Sequence, residues 1–385
     1  MAEEKIAKDA VALTYGNSAL EHIGSVASRQ RPGNIARIEK TLARAGFQAD
    51  AEAIIGAARN SGRVTVNFHP DRLLADGRTV AQALCDDGVY RNQFETGISS
   101  GGLTAWVGGE RDGWEQAMFA GAYQSPGTDA AERPKYGGLN LMNHVNGACP
   151  RFGSCHLRLR STVDARTSFI FGDSNTNPAD VGLRDAFEPV LAALLESAGS
   201  GNGVLGADAP GFVTGLLRGD QKQGKGAFAP AMSHLLDDYI EAHVHGELSL
   251  ATDVDAVVID TAFQATTTGE TLVRAAERHG FEVEWYDGFV LPLSDVPLDA
   301  SSSLGIELAR WQWFCKDGRA HRLAQRVVQQ SDQHANLLTA ANIGEAAANV
   351  VQAPSRWRDW GDENEILIHL KDLWLILVVS GHASR

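Results

Sequence analysis

The chain is poor in cysteine: Cys85, Cys149, Cys155 and Cys315 are the only four in 385 residues. Their spacings fit neither a disulfide framework nor a paired Cys-x-x-Cys zinc site, so reduced thiols in a cytoplasm are expected. Positive charge is also in short supply. Against 48 acidic residues stand 34 basic ones, and a net charge of −14 argues against nucleic acid or anionic membrane as default partners, because the average field repels both. Long apolar runs are missing. The most apolar stretch, 366–379, is interrupted by His369, Lys371 and Asp372, which makes it too short and too polar for a bilayer and suits a buried helix. The charged start, Met-Ala-Glu-Glu-Lys-Ile, has no apolar centre, so no secretory signal is expected. No internal repeat or low-complexity tract is visible.

What is present divides the chain into three regions, a main domain with attachments. Residues 1–60 carry helical spacing (Ile23, Val26, Ile35, Ile38, Leu42, Phe47) broken by Pro32-Gly33, and predict an N-terminal helical lobe. From Arg63 the period changes to two, with Val64 and Val66 alternating against Thr65 and Asn67, so an α+β core over 61–300 with a mixed or antiparallel sheet is expected. Strands are predicted at 89–94, 138–142, 156–159, 168–171, 239–245, 256–259 and 283–285. Helices are predicted at 80–86 and 183–197, and a long loop over the glycine-rich passage 199–226. Residues 301–385 are rich in helix formers and tryptophan, and predict a C-terminal helical cap.

The segment Tyr239-Ile-Glu-Ala-His-Val-His-Gly246 carries the most chemical information. On a strand, side chains alternate, so Glu241, His243 and His245 share one face while Ala242 and Val244 take the other. One carboxylate and two imidazoles so arranged suit a metal, a developing cation, or plain solvent on the outer face of an antiparallel sheet. Two familiar patterns fail for lack of context. Gly201-Asn-Gly203-Val-Leu-Gly206 follows a helical stretch rather than a strand, and Gly219 to Lys225 resembles a phosphate loop but has Gly226 where a magnesium-binding Ser or Thr belongs.

Three clusters mix cations, aromatics and glycine: Tyr90-Arg91-Asn92-Gln93-Phe94-Glu95-Thr96-Gly97 running on to Ser99, Arg133-Pro134-Lys135-Tyr136-Gly137, and Arg151-Phe152-Gly153-Ser154-Cys155-His156. Such a mix suits a ligand with phosphates and a ring to stack, or turns at a sheet edge, or an ion pair of Arg91 with Glu95. Together with Asn67-Phe68-His69-Pro70-Asp71-Arg72 they resemble domain-of-unknown-function family 3626 over most of residues 60–300. The order of motifs also resembles the ADP-ribosyltransferase-like fold. That resemblance implies NAD as substrate, Arg91 in the early nucleotide-binding position, Ser99, Ser154 or Ser168 in the middle one, and Glu241 on the late strand. The chain departs from the pattern in lacking a Ser-Thr-Ser and in having Glu241-Ala-His243 where arginine-modifying members carry Glu-x-Glu.

The resulting expectation is ADP-ribosyl transfer or NAD glycohydrolysis. Cleaving nicotinamide from ribose develops an oxocarbenium-like centre that a fixed carboxylate, Glu241, stabilises. His243 and His245 position the acceptor or take its proton, while Tyr90, Arg91, Ser99, Tyr136, Arg151 and Ser154 contact the nucleotide. Phe152 is a further stacking candidate. The acceptor is open: water, or a group on a protein. A metal-dependent hydrolase is the alternative, with His243 and His245 as ligands and His69, or else Asp71, His156, Asp255 or Asp260, completing the site. A noncatalytic binding module is the third reading.

Overall fold

The computed structural model describes residues 2–47, 50–97, 105–199, 204–218, 236, 238–298, 314–330 and 336–383. Ser99, Gly201, Gly203 and the 219–226 segment therefore lie outside the described residues. The protein is α+β, built on an eight-stranded mixed sheet with an N-terminal helix and C-terminal helices. The strands are β1 (Arg63–Phe68), β2 (Lys135–Asn140), β3 (Cys155–Leu159), β4 (Thr167–Phe171), β5 (Val181–Leu183), β6 (Ile240–Val244), β7 (Val254–Asp260) and β8 (Glu282–Tyr286). Their order across the sheet is β8-β7-β3-β1-β2-β6-β4-β5. The run β1-β2-β6-β4-β5 is antiparallel throughout.

The chain divides into two compact units. The first comprises Met1–Val66, Gly88–Cys149 and Leu157–Ala256, the second Asn67–Asp87, Pro150–His156 and Val257–Arg385. Neither unit is a continuous stretch of chain.

In the first unit a single helix, Ala2–Arg44, runs straight through Pro32, where the sequence predicted a break. Proline inside a helix removes one hydrogen bond and crowds the preceding turn, at a cost of about 3 kcal/mol. Ion pairs on both sides hold the helix in place: Arg31 meets Glu188 at 2.6 Å and Glu52 at 2.8 Å, and Arg37 meets Asp180 at 2.8 Å and Glu196 at 2.7 Å. Ala19, Ile23, Ala27, Ile38 and Leu42 form its buried stripe, spaced as a core-facing helix requires.

Other boundaries differ for local reasons. The predicted helix 183–197 begins only at Glu188, because Val181–Leu183 is an edge strand. The expected loop 199–226 contains a helix, Ala209–Arg218, that buries Phe212, Val213 and Leu216. Its Pro210 stands in the first turn, where a missing N–H costs little. The predicted strand 89–94 is confined to Val89–Tyr90, paired with Leu248–Ser249. Arg91 follows its end rather than lying on it. Asn92 then caps a short helix, Gln93–Thr96, and Glu95 completes a capping box by accepting from the Asn92 backbone N–H at 2.8 Å.

In the second unit the helix Val80–Asp87 packs on Thr267–His279, and the His279 Nε2 bonds the Cys85 carbonyl at 2.9 Å. A three-stranded antiparallel sheet joins Phe289–Pro292 to Leu337–Thr339 and His382–Ala383. Around it lie Arg319–Gln330, Ala340–Gln352 and Glu363–Ser380. The last of these contains the apolar stretch 366–379 as a buried helix, with Trp374 donating to the Pro150 carbonyl at 3.1 Å. Among the described residues no helix is long and apolar enough to cross a membrane.

Candidate functional site

Strand β6 lies between β2 and β4, and the antiparallel register places Gly138 and Ile170 beside Glu241, and Tyr136 and Ser168 beside His243. Directly paired residues point to the same face, so Tyr136, His243 and Ser168 form one row and Gly138, Glu241 and Ile170 the next. His245 stands just past the strand end, its backbone N–H bonded to the Arg166 carbonyl at 3.0 Å and its own carbonyl accepting from Arg166 at 2.6 Å. Gly246 follows at φ +80°, a left-handed turn open to glycine at no steric cost.

This polar face is enclosed. Glu241 is 5 % exposed, His243 0 % and His245 2 %, so the solvent-facing reading of the segment fails. Ala19 and Ile23 of the N-terminal helix, with Met118, Phe119, Ala122 and Tyr123, pack with Ile170 on this side of the sheet. Gly16 of the same helix packs tightly here too: a Cβ on it would stand 3.3 Å from the His245 Cβ and 3.9 Å from the Tyr123 hydroxyl. At the other end Gly138 leaves space for Cys149, whose Sγ lies 2.5 Å from where a Cβ would be.

Inside, one hydrogen-bonded chain links five side chains. His243 Nε2 meets Glu241 Oε1 at 2.8 Å, His243 Nδ1 meets Ser168 Oγ at 3.2 Å, Ser168 Oγ meets His245 Nε2 at 3.0 Å, and His245 Nδ1 meets the Tyr123 hydroxyl at 2.5 Å. A single assignment of protons satisfies every group: Tyr123 donates to His245, His245 to Ser168, Ser168 to His243, and His243 to the Glu241 carboxylate. All donors point toward Glu241. Burial, reinforced by the neighbouring His243 and the charges of Arg166 and Lys135, pushes His245 down to about 3, in keeping with a neutral ring. Phe119 meets both imidazoles edge-on, at 5.5 and 5.1 Å, and Tyr136 meets His243 edge-on at 5.1 Å.

Beside Tyr136 lies a second polar group. Its hydroxyl donates to Glu115 at 3.0 Å, and Arg133 holds Glu115 at 2.8 Å and Asp112 at 2.6 Å. Burial raises Glu115 to about 7, with Arg133 and Tyr136 pulling the other way. Arg111 sits with its guanidinium 4.7 Å from the Tyr136 ring centre and 5.3 Å from that of Trp114. Burial works against its charge, but Tyr136, Glu241 and Glu115 outweigh this and raise it above the usual range.

Glu241, His243, His245 and Tyr136 are thus brought together, joined by Ser168 from among the middle-strand serines. Among the described residues Arg91 is not one of the groups bonded to Glu241; the charge of Glu241 is one of those that raise Arg111. Tyr90 lies in the short strand before Arg91, its hydroxyl pushed up to about 12 by burial. Arg151, Ser154 and His69 belong to the second unit. There Arg151 lies 5.2 Å over the Phe152 ring, Ser154 accepts from Tyr286 through its carbonyl at 2.6 Å, and His69 packs edge-on to Trp374 at 5.1 Å. Burial lowers His69 to about 3. Among the described residues no group of three or more His, Cys, Asp or Glu is placed to hold a metal ion. Tyr123, Arg111, Trp114 and Glu115 were missed from sequence. They sit in or just after the helix Glu110–Met118, whose Glu-Arg-Asp-Gly-Trp-Glu-Gln composition reads as a solvated face.

An α+β fold with a buried Glu-His-Ser-His-Tyr chain on its central strand is what defines this protein structurally. By sequence the chain belongs to the family described as Protein of unknown function (DUF3626), whose model matches residues 63–379. A comparison with curated proteins returns no match.

Proposed function

We propose that the protein cleaves the N-glycosidic bond between nicotinamide and ribose in NAD, passing ADP-ribose to an acceptor or to water. The observation that carries this reading is the Glu241 carboxylate: 5 % exposed, held at 2.8 Å by His243, and standing at the end of a buried hydrogen-bonded chain. Departure of nicotinamide leaves positive charge on the anomeric carbon and the ring oxygen. A carboxylate fixed in a low-dielectric pocket stabilises that charge far more than one in water, and without reorganising as the charge develops. Tyr136 and Trp114, each with Arg111 over its ring, offer their remaining aromatic surface to the nicotinamide or the ribose edge. The resemblance to the ADP-ribosyltransferase-like fold belongs to this proposal, with Glu241 and Ser168 in the late and middle positions. Arg91 remains a candidate for the distal part of the nucleotide.

The hydrogen bonding of the two imidazoles weighs against the metal-hydrolase alternative. All four ring nitrogens of His243 and His245 are already committed to Glu241, Ser168 and Tyr123, and a metal ligand needs a free lone pair. Incubating the protein with NAD and measuring free nicotinamide tests the reading. Release that persists in chelator is expected; release abolished by chelator and restored by a divalent metal would transfer the site to the alternative.

A further inference from the structure

Ser168, His243 and His245 can each donate one hydrogen bond and accept another, so the middle of the buried chain is satisfied equally well with its protons running toward Glu241 or away from it. The ends decide. At one end the Glu241 Oε1 lies 2.8 Å from the His243 Nε2. At the other stands Tyr123, 1 % exposed and packed among Ala19, Ile23, Met118, Phe119 and Ile170. Among the described residues its hydroxyl has a single hydrogen-bond partner, the His245 Nδ1 at 2.5 Å. The two rings are 11° from parallel with centres 6.0 Å apart. With so short a bond between them, that separation means the rings lie edge to edge in nearly one plane, where the Nδ1 lone pair points. A phenol keeps its proton at neutral pH, and a buried donor left without an acceptor is costly. Tyr123 therefore donates to His245. His245 must then carry its own proton on Nε2 and give it to Ser168, Ser168 gives its proton to the His243 Nδ1, and His243 is left with Nε2–H facing Glu241.

We propose that Tyr123 is a positioning residue that sets the direction of the whole chain and, through His245, Ser168 and His243, holds the Glu241 Oε1 as a hydrogen-bond acceptor. The role needs no contact with a ligand. It makes the order of protons a property of the fold, present with or without a charge on residue 241. Its consequence for catalysis rests on the NAD reading: a donor already aimed at the carboxylate does not reorganise as the glycosyl cation forms.

Glu241→Gln is the probe, because an amide can offer either its oxygen or its NH2 and so leaves the direction to the other end of the chain. Nitrogen-15 NMR of histidine-labelled protein, with His243 and His245 assigned by single substitution, reads which ring nitrogen carries the proton. Both imidazoles are expected as Nε2–H in wild type and in Glu241→Gln. In the double variant Glu241→Gln with Tyr123→Phe the direction is lost, and the Nδ1–H form of His243 should rise at least about 10-fold over Glu241→Gln. An Nδ1–H His243 in Glu241→Gln would overturn the proposal, because the charge of Glu241 and not Tyr123 would then set the order. An unchanged Nε2–H in the double variant would overturn it too. The first of these outcomes needs no change at Tyr123, so it decides the matter even if the double variant does not fold. Steady-state nicotinamide release adds a second readout: Tyr123→Phe is expected to lower kcat about 10-fold with KM unchanged, and a kcat equal to wild type would remove Tyr123 from the positioning of Glu241. Should the tautomers follow the expected order in a protein that releases no nicotinamide from NAD, the assignment of Tyr123 stands and the NAD reading falls.

Discussion

Removing the Ser168 hydroxyl probes the buried hydrogen-bonded chain at its midpoint. In Ser168→Ala the His243 Nδ1 and the His245 Nε2, now 3.2 and 3.0 Å from that oxygen, both lose their partner in residues that are 0 % and 2 % exposed. A buried polar atom left unsatisfied costs about 1–3 kcal/mol, so two of them cost about 2–6 kcal/mol. The cost falls on β4 and β6 of the first unit. Amide hydrogen exchange read by mass spectrometry resolves it there, whereas bulk fluorescence would mix the two units. A loss of about 2 kcal/mol corresponds to exchange about 30-fold faster in Thr167–Phe171 and Ile240–Val244. The helix Glu363–Ser380 of the second unit serves as the internal control and should not change. Exchange within threefold of wild type in both strands would refute the reasoning, because it would mean that the serine bridges nothing of energetic weight.

Two further outcomes test other features of the fold. Gly16→Val should be more destabilising than Gly16→Ala by about 1–3 kcal/mol in thermal unfolding, since the first methyl already stands a tight 3.3 Å from the His245 Cβ and further branches meet the Tyr123 hydroxyl; equal melting of the two variants would contradict the close packing. In the second unit, burial raises Asp71 from 3.8 to about 7, and its Oδ2 has no hydrogen-bond partner. The unfolded chain therefore loses this proton at lower pH than the native protein does. Stability falls as pH rises from about 4 to about 7 and then levels, a change of up to about 4 kcal/mol. Asp71→Asn should flatten that slope in urea midpoints taken across the range, and parallel wild-type and variant curves would show that the carboxyl is not held protonated.

Much of the fold was legible, for identifiable reasons. The alternation of Val64 and Val66, and of Glu241, His243 and His245, is a local signal, and the corresponding strands are present. What covers the second of these faces is not local. Three polar residues on one side of a strand look the same whether water or a helix lies over them, and here the covering groups come from Ala19, Ile23 and Phe119, far away in sequence. Tyr136 and Ser168 were both candidates, but only the strand register sets them on either side of His243. Arg111 gave no signal because nothing in a charged, glycine-containing helix says which side is buried, and Tyr123 gave none because it lies in the turn after that helix. The helix through Pro32 was missed for a related reason: local propensity opposes it, and the ion pairs that hold it, to Glu188, Asp180 and Glu196, are tertiary.

Glu241→Gln offers the most direct test of the central claim, because it preserves the shape of the side chain and its bond to His243 while removing the charge. Nicotinamide release from NAD should be measurable in wild type and fall at least about 100-fold in this variant, with β6 exchange unchanged. Equal release by the two proteins, or none from wild type with any acceptor supplied, would contradict the assignment of Glu241 as the group that stabilises the glycosyl cation.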